Sequence, residues 1–283
     1  MPVPGPIRYP GRRVAGVVVA LALVGCTPSG VVDPPAVRST VNPTGSVAVG
    51  AGGRSPSGAR TPSDSPEPLV PAATVAGIDV SAHQVRVDWA RHRREGVRFV
   101  WIKATEGTTW RSPRFAAQRT GARQVGILTG AYHYARPANS SGTAQARAFV
   151  AGGGGWMPDG RTLPGALDLE ENTGSTAGGD PCHGLPPARM VAWVRDFTTT
   201  YRALTGRDAV IYVKAELWDR CTGASRRFAD TNPLWLYDHD GGPEPLPAGW
   251  RRPTVWQSGI RDGLDRNVFH GSLEELLTWA RTP

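Results

Sequence analysis

The sequence predicts an α/β fold, a small and irregular TIM-like (β/α) barrel, over residues 75–283. Three observations predict it. From residue 75 onward, short runs dominated by Val and Ile alternate with segments of helical character, the pattern of a parallel sheet covered by helices. Eight such runs fall in about 209 residues, which suits a small closed barrel better than an open sheet. The last three runs lack full helices between them, so the closing part is expected to be irregular.

The elements follow in order. Residues 75–80 read as a strand, and 88–95 as a helix with Asp88 as its N-cap. Residues 98–103 form a strand apolar on both faces. A helix at 113–124 carries Pro113 in its first turn. The third strand spans 126–134 and the next helix 144–150. Residues 165–169 are the fourth strand. A long helix at 187–204 is closed by Gly206, a C′ glycine. The fifth strand is 209–213; short strands follow at 234–236, 254–256 and around Asp265, and a helix at 273–279 ends the chain.

The residues before the barrel are of another kind. Arg8, Arg12 and Arg13 precede the apolar run 14–24, which has the length of a signal-peptide core and is too short for a comfortable membrane span. The run ends in Leu23-Val24-Gly25-Cys26, which resembles the lipobox of bacterial lipoproteins. That resemblance implies cleavage before Cys26 and lipidation of its sulfur; plain secretion is the alternative. Residues 27–74 are rich in Pro, Gly, Ser, Thr, Val and Ala, the composition of a disordered spacer with a reach on the order of 40 Å. The chain thus divides into a signal peptide (1–25), a lipid-bearing Cys26 with its spacer (26–74) and a folded domain (75–283). It is expected to be exported, either to the outer face of the cell membrane as a lipoprotein or into the medium.

Three cysteines is an odd number for an oxidising compartment. With Cys26 taken by lipid, Cys182 and Cys221 remain, either as a disulfide or as two free thiols. Two distant cysteines are too few for a zinc site.

The net charge is +8, and the composition is 40% hydrophobic and 20% charged. Three positive charges lie in the leader, and the spacer's three arginines are matched by three acids. The folded domain therefore keeps a modest positive excess that favours an anionic polymer. The arginines are scattered, without the clusters or zinc-finger spacing of a nucleic-acid binder. No phosphate loop, His-Glu-x-x-His or Gly-x-Ser-x-Gly occurs, so nucleotide, metalloprotease and serine-hydrolase chemistry are not indicated, and no cofactor or metal is expected.

Chemistry points instead to Asp168 and Glu170. Residues i and i+2 on a strand share a face, and the C-terminal strand ends of a barrel hold its active site. Two carboxyls there can divide the work of glycosidic cleavage, one as proton donor to the leaving oxygen and one facing the cationic sugar carbon. The pair alone also suits a metal, a cap or an ion pair. Its company strengthens the glycosidic reading. Asp79, Lys103, Tyr132, His133, Tyr134, Tyr212, Trp256, Gln257 and Asp265 all fall at or near strand ends, and aromatic rings suit the apolar faces of sugars.

The segments Gly77-Ile78-Asp79-Val80-Ser81, Phe99-Val100-Trp101-Ile102-Lys103-Ala104-Thr105-Glu106-Gly107, Gly130-Ala131-Tyr132-His133-Tyr134-Ala135-Arg136-Pro137 and Leu167-Asp168-Leu169-Glu170 resemble glycoside hydrolase family 25, the Chalaropsis-type lysozymes (N-acetylmuramidases). Tyr212, Trp218, Trp235, Trp256-Gln257 and Asp265-x-Asn267 continue the match in order to the C-terminus. The resemblance implies five β/α units plus three closing strands. It implies hydrolysis of the β-1,4 bond between N-acetylmuramic acid and N-acetylglucosamine in peptidoglycan. Glu170 becomes the general acid and Asp168 its partner, as nucleophile or as orienter of the acetamido group. Asp79 and Asp265 complete the acidic cluster. Tyr132, His133, Tyr134, Tyr212, Trp235, Trp256 and Gln257 become substrate-binding candidates. Several members also carry a disulfide after the central motif, which favours pairing of Cys182 with Cys221. The chain departs from the family at His83, at Ser258 and at Leu236-Tyr237-Asp238-His239-Asp240.

Alternatives stand beside some of these roles. Asp79 could cap a strand end, and Asp265 could form a turn. His133 could be a satisfied core histidine or a substrate contact. Glu106 could pair with Lys103 or an arginine. Asp238-His239-Asp240 could suggest a metal, but its Gly-Gly-Pro sequel favours a solvated loop. A monomer is the default for an enzyme acting on a bulky polymer.

Overall fold

The computed structural model describes residues 73–172, 179–239, 242–243 and 245–283. The leader, Cys26, nearly all of the spacer and Asp240 lie outside the described residues.

The strands are β1 (Thr74–Val80), β2 (Phe99–Glu106), β3 (Trp110–Arg111), β4 (Leu128–Tyr134), β5 (Ala166–Asp168), β6 (Val210–Lys214), β7 (Leu234–Tyr237), β8 (Val255–Arg261) and β9 (Leu264–His270). The helices are α1 (Trp89–Arg94), α2 (Phe115–Gln124), α3 (Gly142–Phe149), α4 (Pro187–Thr205), α5 (Ala215–Thr222) and α6 (Leu273–Arg281). Eight strands close a barrel in the order β1-β2-β4-β5-β6-β7-β8-β9, with β9 returning to β1. Pairing is parallel from β1 to β8, and β9 runs antiparallel to both its neighbours. Five β/α units followed by three closing strands is the expected architecture.

Local chemistry sets the helix ends. Asp88 accepts the Arg91 N–H at 2.9 Å, as its N-cap role requires. Pro187 opens α4, and Gly206 closes it in the left-handed region with φ 73°. Ser272 and Glu275 form a reciprocal capping box at the start of α6. The helix that was expected at 113–124 begins at Phe115, with Pro113 standing before it. The strand readings do not reveal α5, because it starts directly where β6 ends and Lys214 caps it without a side-chain hydrogen bond. They also miss β3, two residues that pair antiparallel with the end of β2.

Two apolar layers hold the barrel. Ile78, Val100, Ile102, Leu167, Ile211 and Val213 point outward and meet the helices, including Trp193 and Phe197 of α4. Phe99, Trp101, Val210, Trp235 and Phe269 point inward. Leu276 and Ala280 of α6 belong to this inner layer, so α6 plugs the N-terminal end of the barrel, its base. Two small residues make room inside. A Cβ on Gly77 would lie 2.2 Å from the Phe99 ring, and one on Gly130 would lie 2.2 Å from the Trp101 indole nitrogen.

Cys182 and Cys221 form a disulfide with Cα atoms 5.2 Å apart. It fastens the loop that follows β5 to α5. In the same loop, His183 Nε2 donates to the Glu170 carbonyl at 3.0 Å, so the bridge braces the backbone of the expected acid.

Gly130→Ala should destabilise the domain by about 1–3 kcal/mol, since Trp101 is packed on all sides and its indole N–H is committed to the Pro164 carbonyl at 3.0 Å. Urea denaturation of the variant against the wild type checks this.

Candidate active site

The C-terminal ends of the strands surround a cavity of about 410 Å³ lined by all four expected acids, Asp79, Asp168, Glu170 and Asp265. Strand register brings them together. Asp79 of β1 stands directly opposite Asp265 of β9. Asp168 of β5 is flanked by Tyr134 of β4 and Tyr212 of β6. Tyr132, Tyr134, Tyr212, Trp235 and Gln257 line the same cavity. Trp235 stacks on Trp101 at 4.8 Å and meets Tyr212 edge-on at 4.7 Å, giving the cavity an aromatic floor.

Asp79 is buried and doubly hydrogen-bonded. Its Oδ2 accepts from Gln257 Nε2 at 2.8 Å and from Asn267 Nδ2 at 2.9 Å. The amide orientations are forced. The Trp235 indole can only donate, and it donates to Asn267 Oδ1 at 2.7 Å, which turns the Asn267 NH₂ toward Asp79. The Tyr212 hydroxyl donates to Gln257 Oε1 at 2.9 Å, and His239 Nε2 lies 3.1 Å from the same oxygen. Aromatic donors on two strands thus aim two amides at one carboxyl.

Burial raises Asp79 to about 7, with Asp265 and Glu170 adding to the shift and the two amide donors opposing it. Burial also raises Asp168 far above the carboxylate range, and the neighbouring Glu170 charge adds to this. Glu170 is raised by loss of hydration within the cleft, while Asp168, Lys103 and Tyr134 draw it down. Asp265 is raised by burial, with His239 opposing. Asp168 and Glu170 act on each other's proton affinity, raising Asp168 and drawing Glu170 down, so the pair titrates as a unit. The other Asp168 oxygen, Oδ1, is buried without a hydrogen-bond partner.

Lys103 supplies the cavity's positive charge. Its Nζ lies 4.3 Å from the centre of the Tyr134 ring and donates to Glu106 at 2.7 Å. Glu106 itself stands outside the cavity lining and also receives Arg136, at 2.8 and 2.6 Å. Burial works to raise Glu106, but these hydrogen bonds overcome it and hold the group below its ordinary value. It is a structural partner of both cations.

Two expected substrate contacts lie elsewhere. His133 sits between Tyr132 and Tyr134, and the strand's period of two turns it to the opposite face. There it is fully buried against Phe149 and Phe197. Gln145 Nε2 is committed to the Arg136 and Ser140 carbonyls, so its Oε1 accepts from His133 Nε2 at 2.9 Å. Thr105 then donates to Nδ1 at 2.7 Å. Burial pushes this ring down to about 4, and His133 is a neutral core residue. Trp256 is displaced by the same parity: its neighbour Gln257 faces the cavity, while the Trp256 indole donates outside it to the Asp238 carbonyl at 2.7 Å. Conversely, His239, which was expected in a solvated loop, lines the cavity against Tyr237. Residue type alone does not mark Asn267 and Tyr237 as contacts. Their spacing of two from Asp265 and Trp235 is the signal that places them on the same faces.

Proton-holding carboxyls at the mouth of a β/α barrel, above an aromatic floor, make the site of a glycoside hydrolase. The model of "Glycosyl hydrolases family 25" matches residues 78–259. The chain is similar to lysozyme M1 of Streptomyces globisporus, 39% identical over 99% of both chains. It is similar to the N,O-diacetylmuramidase of Chalaropsis sp, 42% identical over 72% of this chain and 97% of that one. Among solved structures it resembles the bacterial lysozyme of Streptomyces coelicolor, with TM-score 0.69 and 43% identity over 73% of this chain and 97% of that one. The chain belongs to glycosyl hydrolases family 25.

Asp79→Asn keeps an acceptor for Gln257 and Asn267 but removes a titration. A carboxyl raised in the folded state stabilises below its unfolded value and loses that contribution as pH rises through about 7. The variant should therefore gain on the wild type between about pH 4 and 7, by as much as about 4 kcal/mol above neutrality. Melting temperature against pH for both proteins checks this.

Proposed function

We propose that the chain cleaves the β-1,4 bond between N-acetylmuramic acid and N-acetylglucosamine in peptidoglycan, with Glu170 as general acid and Asp168 as partner carboxylate. The observation that carries the assignment is the position of Glu170. It lines the four-acid cavity and also a second hollow of about 260 Å³, which shares Tyr212 and Tyr237 with the first. A bond placed against Glu170 would have one sugar in each. The group is open to solvent on this side, so it can be reprotonated between turnovers.

In this reading the sugar that becomes cationic sits over the Trp235 floor. Asp168 faces it with its unpartnered Oδ1, as attacking group or as acceptor of the acetamido N–H. Asp79 and Asp265 add negative potential beside the cation, and the amides on Asp79 fix its direction. Tyr132, Tyr134, Tyr212 and Gln257 supply the polar and aromatic walls. A monomer is the default for an enzyme that works on a bulky polymer.

We place the enzyme outside the cell. The basic start followed by the apolar run 14–24 supports export, and Leu23-Val24-Gly25-Cys26 supports a lipid on Cys26. No helix of the described residues is long and apolar enough to cross a membrane. Residues 1–25 would then be the signal peptide, 26–74 the anchor and spacer, and 75–283 the catalytic domain that reaches the wall.

Glu170→Gln should lower release of muramic-acid reducing ends from peptidoglycan by at least about a hundredfold while leaving the melting temperature within a few degrees. Full activity in the variant would remove Glu170 from the acid role. N-acetylglucosamine reducing ends from the wild type would overturn the bond assignment.

A further inference from the structure

The barrel is electrically uneven from end to end. The mouth holds the four acids. At the base, the turns that lead into β7 and β8 carry Arg226, Arg227, Arg251 and Arg252, all exposed. Among the described residues none of the four guanidinium groups is in an ion pair or hydrogen bond, although Arg252 is close enough to draw Glu275 down.

Arg226, Arg251 and Arg252 share one surface, and Arg227 is the exposed chain neighbour of Arg226. Two adjoining hollows of about 480 and 410 Å³ lie between the turns; Arg251 and Asp230 line both, Arg252 the first and Arg226 the second. Gly249, at φ 98°, lies against the Arg226 backbone so closely that a Cβ there would come within 3.0 Å of the Arg226 Cα. The Trp250 indole donates to the Asn232 carbonyl at 2.9 Å and packs edge-on against Trp218 at 5.0 Å. The platform is therefore rigid, and Asp230 is the one acid in its hollows.

We propose that this arginine-lined base docks on an anionic phospholipid surface and holds the acidic mouth outward. The proposal rests on the lipid-anchored placement given above. Two observations favour a membrane over a wall polymer. The chain enters β1 at Thr74, at this same end of the barrel, so a tether that begins at a membrane arrives at the base. A wall polymer bound at the base would turn the mouth away from the glycan it must cut, whereas a membrane bound there turns the mouth toward it. A spacer with a reach on the order of 40 Å also holds the patch near the surface, so weak phosphate contacts suffice.

The test uses the exported form, residues 26–283, with Cys26→Ser so that no lipid contributes. Sedimentation is measured with vesicles of phosphatidylcholine alone and of phosphatidylcholine mixed with phosphatidylglycerol. Partition onto the anionic vesicles should exceed that onto neutral ones by at least about tenfold at low salt and fall steeply as salt is raised. Replacing Arg226, Arg227, Arg251 and Arg252 together by Gln should abolish that excess, with cleavage of soluble peptidoglycan fragments unchanged. Replacing Arg111, Arg114 and Arg261, toward the mouth end, by Gln should leave most of it. Equal partition onto both vesicles, or equal losses from the two sets of substitutions, would overturn the proposal. So would binding to teichoic-acid-bearing wall that depends on the same four arginines while vesicle binding does not. The mass of the chain extracted from membranes reports the lipid on Cys26 separately, so failure of the anchor and failure of the patch are distinguishable.

Discussion

Asp79, Asp168, Glu170 and Asp265 share one cavity with an aromatic floor, and each negative charge placed there raises the cost of the next. The cavity is therefore obliged to hold protons at neutral pH. That constraint gives the site its chemistry, because a carboxyl that keeps its proton near neutrality can donate it to a leaving oxygen. It also explains the surroundings. The Trp235 indole, a donor that cannot accept, turns the Asn267 amide toward Asp79, and the Tyr212 hydroxyl donates to Gln257, whose amide also faces Asp79. Lys103 brings one positive charge to the rim and is itself held by Glu106.

The barrel makes such crowding sustainable. Acids opposite each other on β1 and β9 repel, yet these strands close the barrel and are locked by a full antiparallel ladder. Trp101, Trp235 and Phe269 fill the interior beneath them, and α6 plugs the base. The disulfide and His183 brace the loop that leaves β5, where Glu170 stands. Stability is thus concentrated below the site and around it, while the site itself carries the unfavourable charge.

Much of this was legible in the sequence. The Val- and Ile-rich strands announce themselves, and the spacing of Asp168 and Glu170 states that they share a face. The same period of two identifies which neighbours cannot. His133 lies between two cavity tyrosines and must face the helices, and Trp256 adjoins Gln257 and must face away. Residue type alone ranks both as sugar contacts; strand parity reverses that. The role of Asn267 depends on the single donor of a tryptophan on another strand, which spacing along the chain does not contain. The helix α5 begins without a break after β6 and has no capping side chain to mark it. His239 reaches the cavity because it follows closely on β7, although the Gly-Gly-Pro that comes after it reads as a solvent-exposed turn.

The chemistry of the site depends on the coupled titration of Asp168 and Glu170, and carboxyl carbon-13 chemical shifts followed against pH observe it directly. Asp168→Asn and Glu170→Gln assign the two signals. Two well-separated steps are expected for the pair, with one proton retained through neutral pH. Simultaneous titration of both groups near the ordinary carboxylate value of about 4 would contradict it.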